Sequence, residues 1–287
     1  MARYAYVNGR YVPHGDAAVH IEDRGFQFAD GVYEVIPIMH DRLVDADPHL
    51  DRLDRSLSEI GCALPVSRRA FELVMGELIA RNGVSDGFIY IQVTRGVAPR
   101  DHKFPGGVRP TIVMTTKRVR LHAEGRLRSG VKVITIPDIR WARCDIKTVG
   151  LLPNCMGKTE AAAAGAYEAW QVDEDGYVTE GTSSNAWIVT ADGDLLTPPV
   201  TSDILRGVTR QTLLRIAAEE GLKFEERRFT VDEAKAAREA FTTSATSFVT
   251  PVVQIDETTI ANGAPGSMSQ RLLDWYIDYC AGAKEPA

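Results

Sequence analysis

One lysine lies in a stretch of sequence whose charges could make its amine reactive. Lys147 closes the run 138–147, in which Arg143 and Asp145 alternate with apolar residues. In an extended strand these three charged side chains would share one face. That face is either a solvated ion pair or a site where a partly buried lysine, kept neutral by burial and cationic neighbours, attacks a carbonyl carbon. The pattern leaves both interpretations open and does not separate Lys147 from other lysines such as Lys158.

A carboxylate followed by small hydroxyl residues forms a second candidate site. Glu180 precedes Gly181 and the hydroxyl residues Thr182, Ser183 and Ser184. Small side chains around a glycine let hydrogen-bond donors approach a ligand closely, and a carboxylate beside them could face a protonated ring nitrogen. A Ser/Thr turn between two strands explains the same pattern equally well.

The start of a predicted helix gives a third candidate site. Gly207 and Thr209, the latter a candidate N-cap, begin the helix predicted over 209–220. The first N–H groups of a helix have no partner within it, and the helix dipole favours an anion there. Any capped helix offers this much. The hydroxyl cluster 242–247 could supply further phosphate donors, or could be a loop at the edge of a sheet.

A fourth candidate site is a loop that carries Arg100 and His102. It follows an apolar strand, and Gly96 and Pro99 precede the two residues. Arginine can bind a carboxylate through two parallel hydrogen bonds, and histidine can add a donor. Charged residues are common in exposed loops, so the loop alone does not establish a binding site.

The elements that must position these residues predict two α+β domains. Asn8-Gly9 between short aromatic runs indicates a hairpin, and the polar stretch 117–130 is a candidate linker. The predicted strands cover 87–94, 111–115, 131–136, 186–189 and 248–255. One predicted helix begins near Pro48, and the others cover 68–81, 156–164, 209–220, 231–237 and 267–279. A cleft between two such domains is a common place for a small ligand.

The composition of the chain and the motifs that it lacks exclude several classes of function. The 287 residues carry a formal net charge of −6, which argues against a nucleic-acid partner. No apolar run is long enough to span a membrane, and the first residues do not resemble a secretory signal. Four cysteines without close or zinc-like spacing favour reduced thiols in the cytoplasm and no metal. The fingerprints of nicotinamide, nucleotide-triphosphate, zinc-protease and serine-hydrolase sites are also lacking.

Together these segments resemble the D-amino-acid transaminases of the fold-type IV pyridoxal-phosphate (PLP) enzymes. This family is related to branched-chain aminotransferases and aminodeoxychorismate lyase. The resemblance extends over nearly the whole chain, with its motifs in the family's order. The matching segments are 22–35, 49–53, 100–102, 140–147, 179–185, 207–210 and 244–247.

The resemblance implies an α+β, two-domain fold-type IV enzyme with PLP in the cleft between the domains. A small α+β N-terminal domain would cover residues 1–120, and a larger, β-rich α/β C-terminal domain would cover 121–287. The implied reaction is transamination between D-amino acids, such as D-alanine, and 2-oxo acids, such as 2-oxoglutarate, giving pyruvate and D-glutamate. It would follow a ping-pong Schiff-base mechanism.

The resemblance also implies roles for single residues. Lys147 would form the Schiff base and move the proton at the substrate Cα, and Glu180 would face the ring nitrogen. Tyr33 would bind the substrate carboxylate together with Arg100 and His102 of the partner subunit, in a homodimer. The other residues expected to bind the cofactor are Arg52, Leu205, Val208, Thr209, Ser183, Ser244, Ala245 and Thr246.

The sequence departs from the family pattern at two positions, and three other activities are alternatives to D-amino-acid transamination. Ala245 stands where members of the family often carry threonine, so a phosphate bond is in doubt there; Thr182 replaces a serine but keeps the hydroxyl. Glu34 and Arg140 match family positions with a supporting role. The alternatives are an L-branched-chain aminotransferase, an R-selective amine transaminase and aminodeoxychorismate lyase. The Arg100/His102 loop favours the D-amino-acid reaction.

Overall fold

The computed structural model describes residues 3–282, which form two units, each built on its own sheet. The first unit contains the described residues up to Arg120 together with Ile146–Gly150; the second contains Leu121–Asp145 and the described residues from Leu151 onward. Both units mix helices and strands, so the predicted α+β class is confirmed. Lys147 lies in the first unit, whereas the sequence analysis assigned it to the C-terminal domain.

The first unit is an antiparallel sheet in the order β2-β1-β6-β5-β3-β4. Asn8 and Gly9 have φ values of 48° and 93°, as the tight turn of the predicted hairpin requires. The strands are β1 (Tyr4–Val7), β2 (Arg10–Pro13), β3 (Gly31–Met39), β4 (Arg42–Leu43), β5 (Gly87–Thr94) and β6 (Thr111–Arg118). The helices are α1 (Arg24–Phe28), α2 (Ala46–Glu59) and α3 (Arg68–Asn82).

The two faces of this sheet differ because side chains alternate along each strand. In β5, Ile89, Ile91 and Val93 are fully buried in the core that contains the apolar faces of α2 and α3. The residues between them, including Tyr90 and Gln92, are only half-buried. The open face of the sheet is therefore available to position functional side chains.

The second unit is a mixed sheet in the order β12-β11-β10-β13-β14-β7-β8-β9, with β15 beside β14. Its core includes Trp170 and Phe229, and Trp187 stacks on Phe241 with ring centres 5.4 Å apart. The strands are β7 (Val131–Pro137), β8 (Glu168–Val172), β9 (Val178–Gly181), β10 (Asn185–Val189), β11 (Leu195–Thr197), β12 (Phe224–Glu226), β13 (Glu239–Ser244), β14 (Phe248–Ile255) and β15 (Thr258–Thr259). The helices are α4 (Arg126–Ser129), α5 (Leu152–Ala163), α6 (Val208–Glu219), α7 (Val231–Ala236) and α8 (Ser267–Cys280).

Two stretches differ from the predictions. The run 138–147 is irregular, because the Asp138 side chain accepts the Arg140 backbone N–H and this local turn ends β7 at Pro137. The candidate linker 117–130 includes the helix α4, whose Leu127 is buried. No helix among residues 3–282 is both long and apolar enough to cross a membrane.

Candidate active site

Lys147 is attached to the first sheet beside β3. The Tyr33 N–H donates to the Lys147 carbonyl oxygen at 3.0 Å, and the Lys147 N–H donates to Ser56 Oγ at 3.3 Å. Thr148 forms a bridge with Val32. The Lys147 Nζ lies 4.1 Å from the centre of the Tyr33 ring. The structure thus brings the predicted catalytic lysine and one predicted substrate residue together on a fixed backbone.

Arg52 lies in a buried ionic cluster of the same unit. Its Nε and Nη2 donate to the two oxygens of Glu34 at 2.6 and 2.8 Å. His49 Nδ1 is 2.8 Å from the same carboxylate. Burial raises the pKa of Glu34, but the charge of Arg52 and the hydrogen bonds from Arg52 and His49 outweigh it and hold the pKa well below its usual range. Burial also lowers the pKa of His49, so Arg52 is the cation of this cluster.

Arg100 and His102 lie in an exposed loop and rest against one aromatic ring. The Arg100 guanidinium carbon is 4.8 Å from the centre of the Phe28 ring, and the His102 ring centre is 5.5 Å from it. Phe28, the last residue of the short helix α1, was not among the site residues predicted from the sequence. The described contacts of the loop do not include Tyr33 or Lys147, so its predicted role with them remains a prediction.

Glu180 is a buried carboxylate at the end of β9 in the second unit. Arg140 Nη1 forms a short ion pair with it, and Leu205 N–H donates to its two oxygens at 3.2 and 3.1 Å. Burial raises the pKa of Glu180 to about 7, although Arg140 and the Leu205 N–H act to lower it. Asp138 adds a like charge that also raises the pKa. Glu180 is therefore a carboxylate whose charge is sensitive to what lies opposite it.

Asn185 connects two of the predicted segments, the run that begins with Glu180 and the stretch before α6. Its side-chain N–H groups donate to Glu180 at 3.0 Å and to the Leu205 carbonyl at 2.9 Å. A Cβ on Gly207 would lie 2.1 Å from the Asn185 Oδ1, so only glycine allows the chain to pass here before α6. Asn185 is a missed positioning residue; its location directly after the hydroxyl run was the available signal.

Ser183 is tied to a carboxylate that the sequence analysis missed. Glu168 is buried and accepts hydrogen bonds from Ser183 Oγ at 2.9 Å, from Ser184 Oγ at 3.2 Å and from Thr182 Oγ1. A hydroxyl has one proton to donate, so in this arrangement Ser183 faces any further partner as an acceptor. Direct donation from Ser183 to a phosphate does not fit this geometry.

The start of α6 differs from the predicted cap. Gly207 is the N-cap and makes no side-chain cap bond, while Val208 and Thr209 are buried in the first turn. Thr209 is not the N-cap; its Oγ1 is 3.2 Å from Tyr276 Oη. The first turn therefore offers backbone N–H groups without a side-chain cap, the arrangement that binds anions at helix starts.

The second hydroxyl cluster forms a turn between β13 and β14. Ser244 Oγ lies 2.6 Å from Ser247 Oγ and accepts the Ser247 N–H at 3.1 Å. Ala245 and Thr246 form the tip of this turn and are half-buried. The side chain of Ser244 closes the turn. The backbone N–H groups at the tip of the turn are therefore better candidates for donating to a phosphate.

Known proteins are similar to this chain over most of its length. Residues 31–255 match the family model described as amino-transferase class IV. D-alanine aminotransferase of Bacillus licheniformis is 44% identical over 265 residues, which are 92% of this chain and 93% of that protein. D-alanine aminotransferase of Staphylococcus epidermidis is 40% identical over 275 residues, 96% of each chain. The structure of the T.th. branched-chain amino acid aminotransferase with pyridoxamine 5'-phosphate has a TM-score of 0.91 at 26% identity, covering 99% of this chain and 96% of that one.

Proposed function

The chain belongs to the class IV aminotransferase family, and from this premise we propose that it transfers amino groups between D-amino acids and 2-oxo acids. D-alanine with 2-oxoglutarate would give pyruvate and D-glutamate. The observation that carries the proposal is the similarity to D-alanine aminotransferases at up to 44% identity over nearly the full length of both chains.

The chemistry of the donor set fits PLP. The first unit offers the amine of Lys147, and the second offers the buried carboxylate of Glu180 and the uncapped start of α6. These groups suit an aldehyde, a ring nitrogen and a phosphate respectively. Bound PLP supplies an electron sink for the bond that breaks at the substrate Cα.

Each residue has a proposed task. Lys147 would hold the cofactor covalently and, once released, would move the proton between the substrate Cα and the C4′ carbon of the cofactor. Glu180 would accept a hydrogen bond from the ring nitrogen and keep it protonated, and Leu205 would pack against the ring. Ser183, whose hydroxyl donates its hydrogen bond to Glu168, would accept a hydrogen bond at the cofactor site. The proposed phosphate contacts are Arg52, Val208, Thr209, Ser244, Ala245 and Thr246.

Substrate binding is proposed to need two copies of the chain. Tyr33 would bind the carboxylate with Arg100 and His102 of the partner subunit. An exposed apolar surface near this loop supports a homodimer: Ile21 and Phe26 are each 75% exposed, and Phe104 is 64% exposed.

Mixing two damaged variants tests this arrangement. A Lys147→Ala chain keeps its loop, and an Arg100→Leu chain keeps its lysine. If the loop acts across the interface, mixed dimers regain one complete site and a low KM for D-alanine. Two variants that never complement each other would contradict it.

The cytoplasm is the proposed location. None of the four cysteines, all of which lie within the described residues, forms a disulfide bond, as is usual for proteins of a reducing compartment.

Initial rates with a panel of amino donors test the proposed function. D-alanine, L-leucine and an R-configured primary amine would each be offered with 2-oxoglutarate, and the lines for D-alanine should be parallel, as in ping-pong kinetics. A preference for L-leucine would favour the branched-chain reaction. A preference for the amine, which lacks a carboxylate, would favour an R-selective amine transaminase.

A further inference from the structure

A buried arginine, Arg24, forms a hydrogen bond to the backbone of the loop that carries Arg100 and His102. Residues 99–104 are largely exposed, and exposed loops with long side chains sample many conformations unless they are anchored. Arg24 is only 2% exposed, and its Nη1 donates to the Asp101 carbonyl oxygen at 2.6 Å. That carbonyl lies in the main chain between the two predicted carboxylate-binding residues.

The carboxylate of Asp30 binds both Arg24 and a second arginine, Arg95. Asp30 Oδ2 accepts from Arg24 Nε and from Arg95 Nε, each at 2.7 Å. Arg95 also donates to the Ile60 carbonyl at 2.6 Å, and its guanidinium carbon lies 3.7 Å from the centre of the Phe104 ring. The loop is thus held on one side through its backbone and on the other through an aromatic side chain.

The side chains of the loop share a support with Arg24. The Phe28 ring has the Arg24 guanidinium carbon 4.6 Å from its centre, the Arg100 guanidinium carbon at 4.8 Å and the His102 ring centre at 5.5 Å. Within the loop, the Asp101 side chain accepts the Lys103 N–H at 3.2 Å and closes a turn. Backbone and side chains of the loop therefore depend on one cluster.

We propose that Arg24 is a positioning residue that fixes the main chain between Arg100 and His102 and thereby sets the affinity for the substrate carboxylate. This inference rests on the proposed function. Arg24 does not itself bind substrate in this account. Its planar fork presents separate N–H groups to Asp30 and to the Asp101 carbonyl, whereas the ammonium of a lysine is a single point on a flexible chain.

Arg24→Lys separates this role from a purely structural one. The charge is kept but one of the two bonds is lost, so KM for D-alanine should rise about tenfold while kcat changes less than about twofold. Asn82→Ala is the matched control. Asn82 bonds the Tyr4 backbone and Thr116 in the same unit, so its loss destabilises the unit without touching the loop.

The outcomes decide the proposal. We expect a raised KM in Arg24→Lys alone, with a similar fall in Tm in both variants. An unchanged KM in Arg24→Lys, an equal rise in both variants, or a fall in kcat with KM unaltered would overturn it.

A second readout is independent of catalysis. Hydrogen exchange of the amides of residues 100–104 should become faster in Arg24→Lys and stay unchanged in Asn82→Ala. If the wild-type protein did not use D-alanine, the proposed function would fail. The exchange measurement would still decide the anchoring, and unaltered exchange in Arg24→Lys would overturn this proposal by itself.

Discussion

Two buried glutamates, one in each unit, are both paired with an arginine but differ in ionisation. Burial raises the pKa of Glu34, yet Arg52 and His49 outweigh burial and hold that pKa well below its usual range. Burial raises the pKa of Glu180 to about 7 despite its own arginine, Arg140. The same pair of residue types therefore gives a permanent charge in one unit and a sensitive one in the other.

The difference comes from how each arginine is shared. Arg52 directs both Nε and Nη2 to Glu34. Arg140 gives its Nε and Nη2 to Asp138, at 2.9 and 2.6 Å, and only Nη1 to Glu180. Asp138 thus takes part of the guanidinium and adds a like charge nearby. Glu180 therefore receives less compensation for its burial than Glu34 does.

This contrast indicates a structural role for Glu34 and a chemical role for Glu180. Glu34 suits an anchor that orients Arg52. Glu180, whose pKa lies near neutrality, suits a group that exchanges or shares a proton with a ligand.

Replacing Glu180 should give the largest effect on turnover. Glu180→Gln removes the charge that would face the ring nitrogen, and we expect kcat with D-alanine to fall at least about 100-fold. Stability at neutral pH should be unchanged or higher, because a costly buried charge is removed. Unfolding by urea and steady-state rates on the same preparation check both parts. Normal turnover together with a large loss of stability would reverse the assignment.

Replacing Glu34 should give the opposite result, a large loss of stability. Glu34→Gln leaves Arg52 buried without its counter-charge, and we expect a loss of about 3–5 kcal/mol in the free energy of unfolding. The double variant Glu34→Gln/Arg52→Met, which removes both charges, should recover much of it. No recovery in the double variant would show that the charge pair is not the cause.

The two glutamates should shape opposite limbs of the stability profile. Below the ordinary value near 4.5 the unfolded state binds the proton that folded Glu34 resists, so the stability from Glu34 is present above that pH and lost as the pH falls. Folded Glu180 holds a proton up to about pH 7, so stability decreases as the pH rises from 4.5 to 7. Urea unfolding of the cofactor-free variants should show Glu34→Gln flattening the acid limb and Glu180→Gln the neutral limb. Identical profiles would contradict the contrast.

Replacing an exposed glutamate, Glu233, should give the smallest loss of stability, against which the effects of the two buried glutamates can be compared. Glu233 and Thr230 form a capping box at the start of α7, and the Thr230 N–H, as the largest cause, lowers the pKa of Glu233. Glu233→Ala should cost about 0.5–1 kcal/mol of stability with no change in turnover. Glu233→Gln, which keeps an acceptor for the Thr230 N–H, is the control and should cost less. Equal losses in the two variants would show that the cap is not the cause.

The sequence predicted the elements that depend on local signals. The strand 248–255 appears with the predicted limits, and the capping box of α7 forms as expected. The turn at Asn8-Gly9 follows from residues that tolerate positive φ.

Features that depend on distant residues were missed. Lys147 joins the first unit through backbone bonds to β3, more than a hundred positions earlier, and no local pattern contains that information. Glu168 became recognisable only when the sheet placed it beside the hydroxyl residues whose hydrogen bonds it accepts. Thr209 was taken for an N-cap because the sequence does not show that Tyr276 lies within reach of its hydroxyl.

Exchange of the Cα hydrogen of alanine in D₂O tests the central claim most directly, because it reports the proton that Lys147 is proposed to move. The PLP-loaded enzyme should replace the Cα hydrogen of D-alanine with deuterium, leave L-alanine unchanged, and lose this exchange in Lys147→Ala. Exchange of L-alanine in place of D-alanine, or undiminished exchange in Lys147→Ala, would contradict the account.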